Sequence, residues 1–300
     1  VPVLLKETLQ YLDPKSNENF IDATFGQGGH TTAILKKNGG NGKVLGIELD
    51  PILYKELKSR MAKVPIFNFQ FSNRLILVND SYINLEEIVR EYKFKPITGI
   101  LFDFGISSWH LEESKKGFSF KKDEVLDMRF NPEKNELTAQ NILNEWPEQE
   151  IEKILKEYGE ERFAKSIAKE ILFFRKNKKI ERTFQLNEII EKAIPFKALR
   201  KNRIHFATKT FMALRIAVND ELENIKRGLD EAYKILDSKG KIITISFHSL
   251  EDRICKNFFK EKGGTNKMEI LTKKPISPTN LEIQKNSRAR SAKLRAAIKL

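Results

Sequence analysis

The chain has 300 residues, 40% of them hydrophobic, enough for one large domain or a domain carrying a substantial insertion. Lys and Arg (54) outnumber Asp and Glu (41), and the net charge of +13 favours a polyanionic partner, nucleic acid before an acidic membrane surface. A single cysteine, Cys255, excludes an intramolecular disulfide; four histidines without a Cys/His cluster exclude zinc-site spacing, so no metal is expected; and no apolar run reaches the ~20 residues needed to cross a bilayer.

These features predict a protein of a reducing compartment, the cytoplasm, with no signal peptide and no membrane partner. The chain begins at Val1 rather than Met, so a short preceding piece is expected. In chain order, "NFIDATF" reads as a buried strand and Thr31 to Lys37 as a helix after a glycine loop. "KVLGIELD" is a second strand, followed by a helix that Pro51 can open because its missing N–H costs nothing there. "RLILVND" and "ITGILFDFG" are the third and fourth strands, with "NLEEIVREYK" as a helix between them. Such alternation with continuous apolar strands predicts a parallel sheet covered on both faces.

From about Leu111 to about Lys197 no strand pattern is present. Ile151, Ile154, Leu155, Tyr158, Phe163, Ile167 and Ile171 recur at helical spacing, and "TFQLNEIIEKAI" is a further helix with Thr183 placed to cap it. "ATKTFMALRIAVNDELENIKRGLDEAYKILD" is helical in two pieces. "GKIITISF" resumes the sheet, "LEDRICKNFFKEK" is a helix, and "MEILTKK" and "AKLRAAIKL" are closing strands. The expectation is a discontinuous α/β domain, residues 1–110 and 198–300, interrupted by a helical subdomain at 111–197 that recognises substrate.

Ligands of open α/β sheets lie beyond the carboxyl ends of the strands. Gly26, Gly28 and Gly29 occupy that place after the first strand, where glycine lets backbone approach a ligand. The spacing fits the dinucleotide pattern G-x-G-x-x-G poorly, because Thr31 stands where the last glycine belongs, and this argues against a nicotinamide dehydrogenase. S-adenosylmethionine carries no phosphate, and its sites often have an acid before the glycines. Asp22, Thr24, Gly26 and Gly28 match that order, with Thr24 in place of the first glycine. Glu48 ends the second strand, where a carboxylate can accept both ribose hydroxyls, and Asp50 is its neighbour. Tyr82, after the third strand, can pack on adenine; Asp103 ends the fourth strand and faces the same crevice, although an Asp before glycine also commonly caps a turn.

Together these motifs resemble the bacterial 16S ribosomal RNA (cytosine-N4)-methyltransferases of the MraW type. "VPVLLKE", "DATFGQGGHT", "DFGISS", "KGFSF", "LDMRF", "YGEERFAKSIA", "ATKTFMALRIAVNDEL", "ISFHSLEDR" and "NSRARSAKLR" occur in the family's order from end to end. The chain departs from the family pattern at Trp109 and His110 (usually Pro and Gln), at Glu48 (usually Asp), at Ser287 in Asn-Ser-Arg (usually Asn-Pro-Arg), and at Phe206, Lys209 and Met212 in a segment that usually reads H-P-A-T-R-T-F-Q.

The resemblance implies a class I S-adenosylmethionine-dependent methyltransferase, Rossmann-like with a mostly parallel sheet and an inserted helical subdomain. It implies methyl transfer to the exocyclic N4 of a cytidine in the decoding region of small-subunit RNA. It assigns cofactor contacts to Gly26, Gly28, Gly29, His30, Glu48, Tyr82, Asp103 and His110, the last by position. Asp103 is the candidate acceptor for an N4–H. RNA contacts are expected at Lys209, His248, Arg288, Arg290 and Arg295, within two stretches free of acids, Lys192 to Asn219 and the chain after Glu282, which also contain Lys197, Arg200, Lys201, Arg203, Arg215 and Lys293. His248 can alternatively cap the following helix, and Glu160, Glu161 and Arg162 are expected to pair locally on helices. The partner is 16S rRNA or the small subunit, the protein a monomer or homodimer. No DNA substrate is expected, because "DFGI" is not the D-P-P-Y or N-P-P-Y type of DNA amino-methyltransferases. A non-catalytic RNA-binding assembly factor, or a methyltransferase acting on another nucleic acid, is the alternative.

Overall fold

The continuous apolar runs become the strands of one sheet. They are β1 (Phe20–Asp22), β2 (Val44–Glu48), β3 (Leu75–Asn79), β4 (Gly99–Asp103), β5 (Lys241–Ser246), β6 (Met268–Ile270) and β7 (Lys293–Lys299) in the order β3-β2-β1-β4-β5-β7-β6. β1 to β5 run parallel, and β7 is antiparallel to both of its neighbours. The computed structural model describes residues 2–63, 73–201 and 205–300, without the side chains of 62, 63, 200 and 201. Among the described residues no helix is long and apolar enough to cross a membrane.

Register decides what the sheet presents at its carboxyl edge. Asp22 pairs with Gly46 on one side and Leu101 on the other. Glu48 and Asp103 therefore each extend two residues past the end of β1. The chain leaving β1 stays bonded to both neighbours, Ala23 N–H donating to Leu101 O (2.9 Å) and Phe25 N–H to Ile47 O (2.8 Å). The glycine loop is thereby held with one carboxylate on each flank.

Helices cover this sheet: α1 (Leu5–Leu12), α2 (Gly29–Lys37), α3 (Pro51–Lys63), α4 (Leu85–Glu91), α12 (Glu221–Ile235) and α13 (Ser249–Gly264), the numbers between falling in the insertion. Pro51 opens α3 as expected, and Asp50 caps it, accepting from Ile52 N–H at 2.8 Å. Asp50 is fully buried in this role, so Glu48 alone is the candidate for the ribose hydroxyls.

The second compact unit spans Ile106–Glu221, and the sheet unit comprises Val1–Gly105 and Leu222–Leu300. The insertion contains α5 (Ser108–Glu112), α6 (Ala139–Glu145), α7 (Glu148–Glu157), α8 (Ala164–Arg175), α9 (Thr183–Ala193), α10 (Phe196–Lys201) and α11 (Thr208–Asn219). It is longer at both ends than the expected 111–197. Phe211, Leu214 and Val218 of α11 belong to its apolar core with Ile151, Leu155, Ile167, Ile171 and Ile190, and helical periodicity cannot say which core a helix joins. The two predicted helical pieces part at Asp220, whose φ of 47° ends α11. A ten-residue helix such as α7 is marginal in water by itself. Burial of Ile151, Ile154 and Leu155, at ~2 kcal/mol each, is what fixes it.

Two local expectations are corrected. Thr183 does not cap α9 from outside; it is the first helical residue, accepting from Glu124 N–H (3.0 Å) and donating to Lys122 O (2.5 Å). Glu160 and Glu161 lie in the turn between α7 and α8, where Glu161 accepts from Phe163 N–H (2.9 Å), so they are not partners along a helix face.

Candidate active site

The loop after β1 is built around Phe25, which is buried beneath it. A Cβ on Gly28 would lie 2.6 Å from the Phe25 ring, and one on Gly46 in β2 2.3 Å from it. Gly26 (φ 54°) and Gly28 (φ 73°) both take the left-handed conformation that glycine adopts without strain. At Gly29 the constraint is proximity, because a Cβ would lie 2.6 Å from Pro2.

Asp22 anchors this loop. Its Oδ2 accepts from Thr31 Oγ1 at 2.6 Å, its Oδ1 from Thr24 N–H at 3.3 Å, and burial raises its pKa above the ordinary carboxylate value. Thr24 in turn ties β4 to the loop, its Oγ1 accepting from Asp103 N–H at 2.6 Å. The threonine that replaces the first glycine therefore fixes the backbone of Asp103.

Glu48 is 6% exposed. Its Oε2 accepts from Gly26 N–H (3.1 Å) and its Oε1 from Asp50 N–H (2.9 Å). Each oxygen keeps a second lone pair for a hydroxyl donor. Burial pushes its pKa up to about 8 against the pull of these two amides. Asn79 holds the end of β2, its Nδ2 donating to Glu48 O at 2.7 Å, a contact the sequence did not reveal.

On the other flank, His30 Nε2 lies 3.6 Å from Asp103 Oδ2. Neither ring nitrogen of His30 has a hydrogen-bond partner, nor does Asp103 Oδ1, although all three atoms are buried. Orphaned polar atoms of this kind cost ~1–3 kcal/mol each unless a ligand satisfies them. Tyr82, in the 3-10 turn Tyr82–Asn84, packs edge-on against Phe102 (5.6 Å) and Phe104 (6.1 Å). Gly228 of α12 makes room for its ring, since a Cβ there would lie 2.4 Å away. Glu48, Gly26, Gly28, His30 and Asp103 thus surround one loop. With acceptors for a diol, glycines for close approach and unpaired polar atoms for a zwitterion, the set fits S-adenosylmethionine.

The other expected residues have different surroundings. His110 belongs to the insertion, where its Nδ1 pairs with Ser107 Oγ (2.7 Å) and its ring is packed by Trp109, Phe118 and Phe130. Arg295, expected on RNA, is buried in β7 and grips Asp252 of α13 with Nε–Oδ1 at 2.7 Å and Nη2–Oδ2 at 3.2 Å, so its guanidinium is already engaged in a buried ion pair. His248 caps α13 by accepting from Glu251 N–H, and its Nε2 lies 3.0 Å from the buried Glu251 Oε1. Lys209 donates to Glu160 O at 2.7 Å, and Arg215 is paired with Glu221 at 2.8 and 2.9 Å. Arg288 and Arg290 are exposed on the 3-10 turn Ser287–Ser291. Arg203 and the side chains of Arg200 and Lys201 lie outside the described residues.

The model of the MraW methylase family matches residues 1–300. The chain belongs to this family. It is 46% identical over 98% of its length (96% of the relative's) to the ribosomal RNA small subunit methyltransferase H of a Sulfurihydrogenibium species. It is 45% identical to the protein so named from Sulfurihydrogenibium azorense (99% and 98% covered), and 42% identical to that from Caldicellulosiruptor saccharolyticus (100% and 99%). As an MraW methylase the protein is an enzyme, and its sheet is the class I methyltransferase sheet expected from the sequence.

Proposed function

We propose that this methylase transfers the methyl group of S-adenosylmethionine to the exocyclic N4 of a cytidine in the decoding region of 16S rRNA, acting in the cytoplasm as a monomer or homodimer. The observation that carries the reading is the set of buried atoms without a hydrogen bond on His30 and Asp103, beside a glycine loop whose other flank is Glu48. The rRNA substrate is supported by the names of the full-length relatives.

When bound, the cofactor supplies an electrophilic methyl group on a positively charged sulfonium. Glu48 would accept the ribose hydroxyls, Gly26 and Gly28 would let the backbone approach closely, and Tyr82 would pack on the adenine. The cytosine N4 lone pair is delocalised into the ring, so the amine needs help to become a nucleophile. Asp103 Oδ1 would accept a hydrogen bond from the N4–H and stabilise the positive charge that develops on nitrogen as the N–CH3 bond forms and the S–CH3 bond breaks; S-adenosylhomocysteine is the leaving group, and the N4 proton passes to the Asp103 carboxylate or to water. The Thr24 hydroxyl holds the Asp103 backbone while this happens. The base must leave any stack to reach this carboxylate.

Methylation of a ring carbon normally needs a cysteine nucleophile. Cys255 is fully buried in α13, and burial pushes its thiol up to about 12, so no thiolate forms near neutral pH. Cys255→Ala is expected to retain methyl transfer to within about twofold while lowering stability by ~1 kcal/mol. A loss of transfer without unfolding would place a cysteine in the chemistry.

Arg288 and Arg290 are the expected RNA-binding residues that lie exposed. Replacing both with Glu should weaken RNA binding and flatten its salt dependence, the log–log slope falling by ~0.7 for each phosphate the protein no longer neutralises. An unchanged slope would move RNA binding elsewhere. The deciding assay offers labelled S-adenosylmethionine with unmodified small subunits and, separately, their deproteinised RNA, and resolves the nucleosides by mass spectrometry. N4-methylcytidine is the expected product. 5-Methylcytidine, or no label despite cofactor binding, would overturn the proposal.

A further inference from the structure

The insertion contains two histidines, His110 and His205, and the second is not buried. His205 is exposed, yet its ring is stacked on Phe120 (centroids 4.3 Å apart, planes 7° from parallel) and on Phe206 (4.3 Å, 27°). Phe206 stands where the family pattern usually has proline. Phe120 is itself fixed edge-on to Phe211 of the insertion's core at 5.7 Å. With stacked partners holding its plane, the exposed part of the imidazole is its edge.

The edge is specified further. Nδ1 accepts from Ala207 N–H at 3.3 Å, which leaves the proton on Nε2. Among the described residues no partner takes that Nε2–H. Burial and Lys121 both hold the ring toward its neutral form, while Glu191 opposes them. A neutral, oriented N–H donor on an exposed face is suited to an acceptor oxygen or nitrogen, and a polyanion is the partner that a net charge of +13 attracts.

We propose that His205 is an RNA-contacting residue of the insertion: the Phe120 and Phe206 rings fix the imidazole so that Nε2–H donates to a hydrogen-bond acceptor of the single-stranded substrate. This rests on the RNA methyltransferase reading above. The chemistry is shared by phosphate oxygens and base acceptors. The sequence dependence of binding tells them apart. A neutral imidazole releases no counterion, so the salt slope stays the same in both cases; removing a donor to phosphate weakens all single-stranded sequences alike, whereas removing a donor to a base weakens only sequences carrying that acceptor.

The test compares wild type, His205→Ala and His205→Phe in direct binding to a single-stranded RNA of the decoding-region sequence, and in KM and kcat for unmodified small subunits. His205→Phe keeps an aromatic ring between its neighbours and removes the donor. Both variants should bind RNA about 5–20-fold more weakly, as expected for one hydrogen bond, with KM raised, kcat little changed and cofactor affinity unaltered. Wild-type RNA affinity in His205→Phe would overturn the proposal and leave the ring a purely structural role. Should His205→Ala unfold, His205→Phe still decides. Failure of the wider reading looks different: wild type would then bind the RNA without methylating it, and the comparison of binding constants would remain valid.

Discussion

Glu48→Gln lowers cofactor affinity by about two to four orders of magnitude, the loss expected when two hydrogen bonds to a charged acceptor are weakened by ~1.5–3 kcal/mol each. Both Glu48 oxygens already accept backbone amides, from Gly26 and Asp50. Glutamine has one oxygen, so its NH2 must meet an N–H at one of these places, and the same NH2 meets the hydroxyls of a ribose. The substitution therefore removes an acceptor and part of the loop's anchor together, and, once Glu48 is ionised by pH or by the bound cofactor, a charge as well. Titration calorimetry with S-adenosylmethionine measures it; affinity within a factor of a few of wild type would remove Glu48 from the cofactor site.

The same carboxyl group gives a pH dependence whose sign follows from burial. A glutamate ordinarily titrates at 4.5, and in the fold Glu48 titrates at about 8. Below 4.5 both folded and unfolded chains carry the proton, and no penalty arises. Between 4.5 and 8 the unfolded chain has lost it while the fold retains it, so the Glu48 contribution to stability falls as pH rises; above about 8 the penalty is complete. Cofactor binding moves the other way. A cationic ligand with hydroxyl donors favours the ionised form, so affinity rises with pH until about 8 and then levels. Glu48→Gln should remove this rise and flatten the decline in stability over the same window. A wild-type cofactor affinity that stays constant as pH rises from neutral through about 8 would contradict the assignment.

How much of this was legible depends on whether the determining contact is local. Continuous apolar runs placed the strands, and the acid that ends the second strand pointed to Glu48, with Asp50 as a neighbouring candidate. What the sequence did not show is that Asp50 is taken up in capping α3, through its contacts with Ile52 and Leu53. Arg295 looked like its basic neighbours because its partner, Asp252, lies 43 positions away, and β7's place in the sheet is what brings them together. Likewise, α11 carries an amphipathic pattern that would suit either unit, and its core partners are in α7, far back in the chain. Gly228 is an ordinary helix glycine in sequence; its meaning comes from the Tyr82 ring against it.

Gly28→Val should abolish measurable cofactor binding while the protein stays folded. Two separate costs meet at this position. The φ of 73° is a left-handed conformation that disfavours a β-branched side chain by ~1–2 kcal/mol, and a Cβ would lie 2.6 Å from the Phe25 ring. Phe25 cannot simply withdraw, because its ring is also packed against Gly46. The loop must therefore shift, and with it the Gly26 amide that donates to Glu48. The sheet does not depend on this loop's exact path, so circular dichroism and a cooperative melt should persist with a stability loss of about 1–3 kcal/mol. Gly28→Asn separates the two costs, since asparagine tolerates the left-handed region but still brings a Cβ. If strain dominates, asparagine binds the cofactor far better than valine; if the clash dominates, both fail, and adding Phe25→Leu restores part of the affinity. Full affinity in Gly28→Val would mean that the glycine loop is an ordinary strand-to-helix turn and that the cofactor lies elsewhere.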